Sequence, residues 1–74
     1  MVKPTRVTNS IRALRFAREE MTQADLAERI GVTRQTVIAI EQGKYSPSLE
    51  VAFQIAHVLG VALDDVFQYP HTSE

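Results

Sequence analysis

The sequence predicts an all-α domain of five helices, and three observations carry that expectation. Apolar residues recur at helical spacing in five successive segments. Each of the three glycines (Gly31, Gly43 and Gly60) falls where such a segment stops. The 74-residue length, with 45% apolar and 23% charged residues, suits one small globular domain rather than a disordered tail.

The elements follow in order. Residues 1–8 contain Pro4 and no helical period, and read as a flexible arm. Thr8, Asn9 and Ser10 offer side-chain oxygens that cap a helix. Ile11, Leu14, Ala17 and Met21 then mark a first helix of about ten residues. Phe16 lies on the opposite side of that helix, where a neighbouring segment or a second subunit has to cover it. Thr22 caps the second helix, Leu26, Ala27 and Ile30 form its buried face, and Gly31 ends it. After a turn of about three residues Thr33 caps the third helix, whose inward face is Val37 and Ile40 and which stops at Gln42-Gly43. Ser46 or Ser48 caps a fourth helix, with Pro47 suited to its first turn. Leu49, Ala52, Ile55, Ala56 and Leu59 make its stripe, widened by Val51 and Val58. Leu63, Val66 and Phe67 mark a short fifth helix, started weakly at Ala62, with Asp64 and Asp65 favouring its positive end. Residues 70–74 read as a frayed end.

Several function classes are disfavoured by composition. The absence of cysteine removes disulfides, thiolate metal sites and Cys nucleophiles. No apolar run approaches a membrane span, and the opening Met-Val-Lys-Pro-Thr-Arg lacks a signal-peptide core, which points to a cytoplasmic protein with no membrane partner. A chain this short has little room for a buried catalytic cleft, and no catalytic motif is present. His57 and His71 have no acids at metal-ligand spacing, and the adjacent Asp64 and Asp65 point to different helix faces, so neither metal nor acid–base chemistry is expected. No cofactor or small-molecule ligand is implied.

Charge is unevenly distributed. The formal net charge is −1, but residues 1–44 hold all eight basic side chains against five acids, a net +3. Residues 45–74 hold no Lys or Arg against four acids, a net −4. Such a division suits a cationic face for a polyanion and an acidic end that avoids it.

Two short helices joined by a three-residue turn containing Gly are the pattern of a helix-turn-helix. Ala27 is small where the next helix crosses closely, and Gly31 can take the positive φ of the turn. With Val37 and Ile40 turned inward, Thr33, Arg34, Gln35, Thr36, Ile38 and Ala39 are left around the outer side and N-terminal end of the third helix.

The run Thr22-Gln23-Ala24-Asp25-Leu26-Ala27-Glu28, then Gly31-Val32-Thr33-Arg34-Gln35-Thr36-Val37 and Ile40-Glu41-Gln42-Gly43-Lys44, strongly resembles the Cro/repressor-type (XRE) family of DNA-binding domains. Ser46-Pro47-Ser48-Leu49-Glu50, Ile55-Ala56, Leu59-Gly60-Val61 and Asp64-Asp65-Val66-Phe67 continue the match over about residues 10–68. The resemblance implies a compact, lambda-repressor-like five-helix bundle over residues 9–69, whose third helix enters the major groove of double-stranded DNA. It makes Arg34 and Gln35 the main base readers, with Thr36 beside them. Ala39 or Ile38 meets a thymine methyl, although packing is an equal reading for Ile38. Gln23, Thr33, Gln42, Lys44 and Tyr45 become backbone contacts; Thr33 is at once a plain helix cap. Lys3 and Arg6 are candidates for an arm on the backbone or minor groove.

The family also pairs an Arg of helix one with the Glu of its Ile-Glu-x-Gly segment, here Glu41. Arg15 stands eight residues before Gln23, one more than is usual, which leaves Arg15 and Arg18 as alternatives. The expected protein is a prokaryotic or viral transcriptional regulator, a repressor in the first instance. It is expected to bind a two-fold-symmetric operator as a homodimer through Val61, Leu63, Phe67 and Tyr69, with Phe16 a further candidate. The same bundle could instead serve as an antitoxin or an adaptor for another protein.

Overall fold

In the computed structural model, which describes residues 5–70, the chain runs β1 (Thr8–Asn9), α1 (Ile11–Ala17), α2 (Gln23–Ile30), α3 (Arg34–Glu41), α4 (Leu49–Leu59), α5 (Leu63–Val66) and β2 (Phe67–Gln68). Side-chain caps set the start of the three longest helices. Thr22 Oγ1 accepts from Asp25 N–H at 3.0 Å while Asp25 accepts from Thr22 N–H, a reciprocal pair that satisfies two otherwise orphan donors. Thr33 and Ser48 each accept from the backbone N–H three residues on. Ser48, rather than Ser46, is therefore the cap of α4. Pro47 stands just before it, not in the first turn as the sequence suggests.

The first helix is shorter than its periodicity predicts. It ends at Ala17 because the chain turns through Glu19 and Glu20, both at positive φ (58° and 55°). Glu20 N–H donates to Phe16 C=O and Met21 N–H to Arg15 C=O, which satisfies carbonyls at the helix end. Met21 still reaches the core, but through this turn; Ala17, expected on the inner stripe, is exposed.

The two short strands are not foreseen by the helical reading. Thr8 pairs with Gln68 and Asn9 with Phe67, antiparallel, so the segment taken for an arm joins the fold at residue 8. Ser10 N–H donates to Val66 C=O at 2.8 Å, which continues the tie between the two ends. Residues 1–4, including Lys3, and residues 71–74, including His71, lie outside the described residues. At α5, Ala62 has no capping side chain, and Asp65 Oδ2 accepts its N–H instead.

Ile11, Leu26, Val37, Ile55 and Val66 are fully buried, one from each helix. Each such burial contributes about 1.5–3 kcal/mol. The core thus joins every helix, with α2 packed on α3 and α4. Leu49 departs from its predicted stripe: it is 68% exposed at the first position of α4, where the helix has not yet reached the core.

Candidate nucleic-acid interface

The α2–turn–α3 unit is fixed from its inner side. Gly31, at φ 75°, ends α2 in the left-handed region that favours glycine, and Val32 N–H closes back on Ala27 C=O. Ala27 is buried, and Val37 and Ile40 anchor α3 in the core. What remains outward is the N-terminal end of α3. Arg34 and Gln35 are exposed there beside exposed Thr33; Thr36, Ile38 and Ala39 are half-buried. The Thr36 hydroxyl lies 3.0 Å from the Thr33 hydroxyl and is engaged at the cap.

Behind this surface is a buried polar network. Arg15, only 7% exposed, gives Nε to Glu41 Oε2 at 2.7 Å, Nη2 to Glu41 Oε1 at 3.2 Å and Nη1 to Met21 C=O at 2.7 Å. It is the only ion pair among the described residues. Arg15 is therefore the partner of Glu41. Arg18 is directed elsewhere, with its guanidinium over Gly60. The chain leaves α1 through the Arg18–Glu20 turn, and Arg15 stays beside Glu41. The same carboxylate accepts from Gln23 Nε2 at 3.2 Å, which ties the first side chain of α2 to the last residue of α3.

Asn9 also belongs to this region, although its sequence signal was only that of a capping residue. Its Nδ2 donates to Ile40 C=O at 3.0 Å, and its Oδ1 accepts from Ile11 N–H, so it joins the start of α1 to the end of α3. Gln42 and Lys44 are exposed after α3. Tyr45 is half-buried and packs against the core, so it holds the loop as well as standing beside Lys44.

The five residues considered for a subunit contact do not form one patch. Val61, Leu63 and Phe67 pack partly against the core. Leu63 and Phe67 share a groove with Leu49, Pro47 and Val7. Tyr69 is exposed, with Arg6 over its ring at 6.0 Å. Phe16 lines other depressions, shared with Gln23, Gln42 and Arg34. Exposed Leu49 and Phe53, on the first turns of α4, are apolar surface that the sequence reading missed. Their signal was that Phe53 follows Leu49 by four residues and lies off the Ala52–Ile55–Ala56–Leu59 stripe.

Residues 11–66 match the model of the helix-turn-helix family. The chain belongs to the XRE-type helix-turn-helix family. An uncharacterized HTH-type transcriptional regulator of Methanocaldococcus jannaschii, MJ0272, is 57% identical over 53 residues, covering 72% of this chain and 80% of the relative. The cryptic phage CTXphi transcriptional repressor RstR of Vibrio cholerae is 33% identical over 66 residues, covering 89% of this chain and 59% of the relative. Among solved structures, a protein of Bacteroides fragilis described as DNA-binding superposes with a TM-score of 0.73 at 26% identity, covering 84% of this chain and 98% of the other. The XRE-type architecture is thus shared over nearly the whole described fold, with β1 and β2 as a small addition to the five helices. Among the described residues of this XRE-type domain, no helix is long and apolar enough to cross a membrane.

Proposed function

We propose that this chain is a cytoplasmic, sequence-specific regulator that binds double-stranded DNA, acts as a repressor, and reads the major groove with α3. The observation that carries this reading is the exposed N-terminal end of α3. It presents Arg34 and Gln35 while Val37 and Ile40 hold the opposite face in the core. Arg matches the two acceptors of guanine bidentately, and Gln matches the donor and acceptor of adenine. Ala39 and the outer edge of Ile38 suit a thymine methyl. Gln23 and Thr33 stand at the N-terminal ends of α2 and α3, where free N–H groups suit phosphate. Gln42, Lys44 and Tyr45 extend the backbone contacts past α3. The assignment to repression draws on the phage relative, a transcriptional repressor.

Two copies are needed for a two-fold operator, and the proposed subunit contact centres on the groove lined by Leu63 and Phe67, with Val61 and Tyr69 as separate further candidates. Exposed Leu49 lines the same groove. This face carries the acidic half of the chain, so pairing there keeps negative charge away from phosphate.

Two substitutions separate the proposed roles. Arg34→Ala is expected to relax base preference at one position of the site by about 5- to 150-fold, the value of one bidentate pair. Lys44→Ala is expected to weaken binding alike on all sequences and to flatten its salt dependence. If both variants bound duplex DNA as the parent does, α3 and its following loop would not be the DNA face.

A further inference from the structure

We propose that α1 supplies an additional contact to the DNA backbone, made by Arg12 and positioned by Phe16. The inference rests on the DNA-binding reading above and extends the contact surface beyond the helix-turn-helix itself. Phe16 is 56% exposed on a helix whose inner side is already provided by Ile11 and Leu14. One turn earlier on the same face, Arg12 places its guanidinium carbon 5.9 Å from the Phe16 ring centroid. That is within the range of a cation–π contact, which limits the freedom of a long cationic side chain without neutralising it.

The location makes this pair more than a surface ornament of α1. Arg12 and Phe16 line one depression together with Gln23 and Gln42, two of the proposed backbone contacts. Phe16 also borders the neighbouring depression, whose lining includes Arg34 and Glu20. The carboxylate in the floor of the first depression, Glu41, is matched by the two-point contact of Arg15. Arg12 is therefore the uncompensated charge at that mouth, and it is positive. Other exposed cations of the first two helices are directed elsewhere: Arg18 and Arg29 line a separate depression with Glu19 and Asp25. A cation held beside the N-terminus of α2 fits a phosphate of the strand that α2 crosses, a contact that positions the protein without reading sequence.

The experiment is titration of a fluorescent random-sequence duplex over a series of salt concentrations, with the parent, Arg12→Ala, Phe16→Leu, the double variant and Lys44→Ala. Because Arg12 and Phe16 are exposed, the variants should fold, which circular dichroism checks. Arg12→Ala is expected to lower the slope of log affinity against log salt by about one contact. Phe16→Leu is expected to weaken binding about two- to five-fold, an effect that disappears in the Arg12→Ala background. Should Arg12→Ala keep the parental slope while Lys44→Ala flattens it, the α1 contact is wrong and the DNA reading stands. A Phe16→Leu effect that persists without Arg12, or that changes the sedimenting species, overturns the positioning role and assigns Phe16 to packing or to a subunit contact. If the parent shows no salt-dependent binding to any duplex, the proposed function fails and this contact with it.

Discussion

At the scale of single residues, Glu41 is where fold and proposed function meet. Its carboxylate holds Arg15 by two bonds and Gln23 by one, so it joins α1, α2 and α3 at a single point. Removing it leaves the buried Arg15 guanidinium with only the Met21 carbonyl. Glu41→Ala is therefore expected to destabilise the fold by about 3–5 kcal/mol, the cost of leaving one partner of a buried pair behind. Replacing both partners, Arg15→Met with Glu41→Leu, should recover most of that loss. Urea denaturation of the single and double variants measures both effects. The identity of this pair was only half legible from the residues. Glu41 stood out from the Ile-Glu-Gln-Gly segment, but the spacing left Arg15 and Arg18 open. Three residues of turn geometry decide between them, and no periodicity reports on a turn. Asn9 was underread for a related reason. Its contacts to the Ile40 and Glu41 carbonyls cross 31 and 32 residues of sequence, whereas a capping signal is local.

At the scale of elements, the helices whose start is written in a capping side chain and whose end is written in a glycine were readable almost to the residue. Thr22 to Gly31 is of this kind; α4 ends at Gly60 as read, but its start was left open between Ser46 and Ser48. The first helix lacks the glycine, and its three candidate caps, Thr8, Asn9 and Ser10, did not single out one start. Ser10 makes no side-chain capping bond, and the C-terminal turn is built from two glutamates in the left-handed region, where a Cβ costs about 1–2 kcal/mol. Glycine at such a position relieves that strain but adds freedom to the unfolded chain. The net expectation for Glu20→Gly is a stabilisation of about 0.5–1 kcal/mol. Gly60 should respond in the opposite sense. Its φ is 73°, and a Cβ there would lie 2.8 Å from Arg18 Nη1, so Gly60→Ala is expected to lower the melting temperature even after Arg18 moves aside. Thermal unfolding of the two variants should show shifts of opposite sign; equal signs would mean that the turn and the end of α4 are not held as described. The strands β1 and β2 were not legible because two-residue strands carry no alternation to detect. Only the tertiary pairing of Thr8 with Gln68 and Asn9 with Phe67 makes them strands.

At the scale of the molecule, the uneven charge of the chain agrees with an arrangement in which α3 and its neighbours face a polyanion and the acidic C-terminal part faces a second copy. The apolar surface on that part is wider than the sequence indicated. Leu49 was assigned to the core by its place at the head of a regular stripe, yet at the first position of α4 it is exposed on a groove shared with Leu63 and Phe67. This makes Leu49 a clean probe of the proposed subunit contact. Leu49→Asp should shift sedimentation toward the monomer while leaving the helical spectrum unchanged, since its side chain is not part of the core. The central claim, that a pair of these domains reads a specific duplex sequence through α3, is tested most directly by selecting bound sites from a pool of random duplexes. The account predicts enrichment of a two-fold-symmetric site, its half-sites about one helical turn, roughly 34 Å, apart. A pool that emerges without an enriched sequence, although the protein binds it, would contradict that claim.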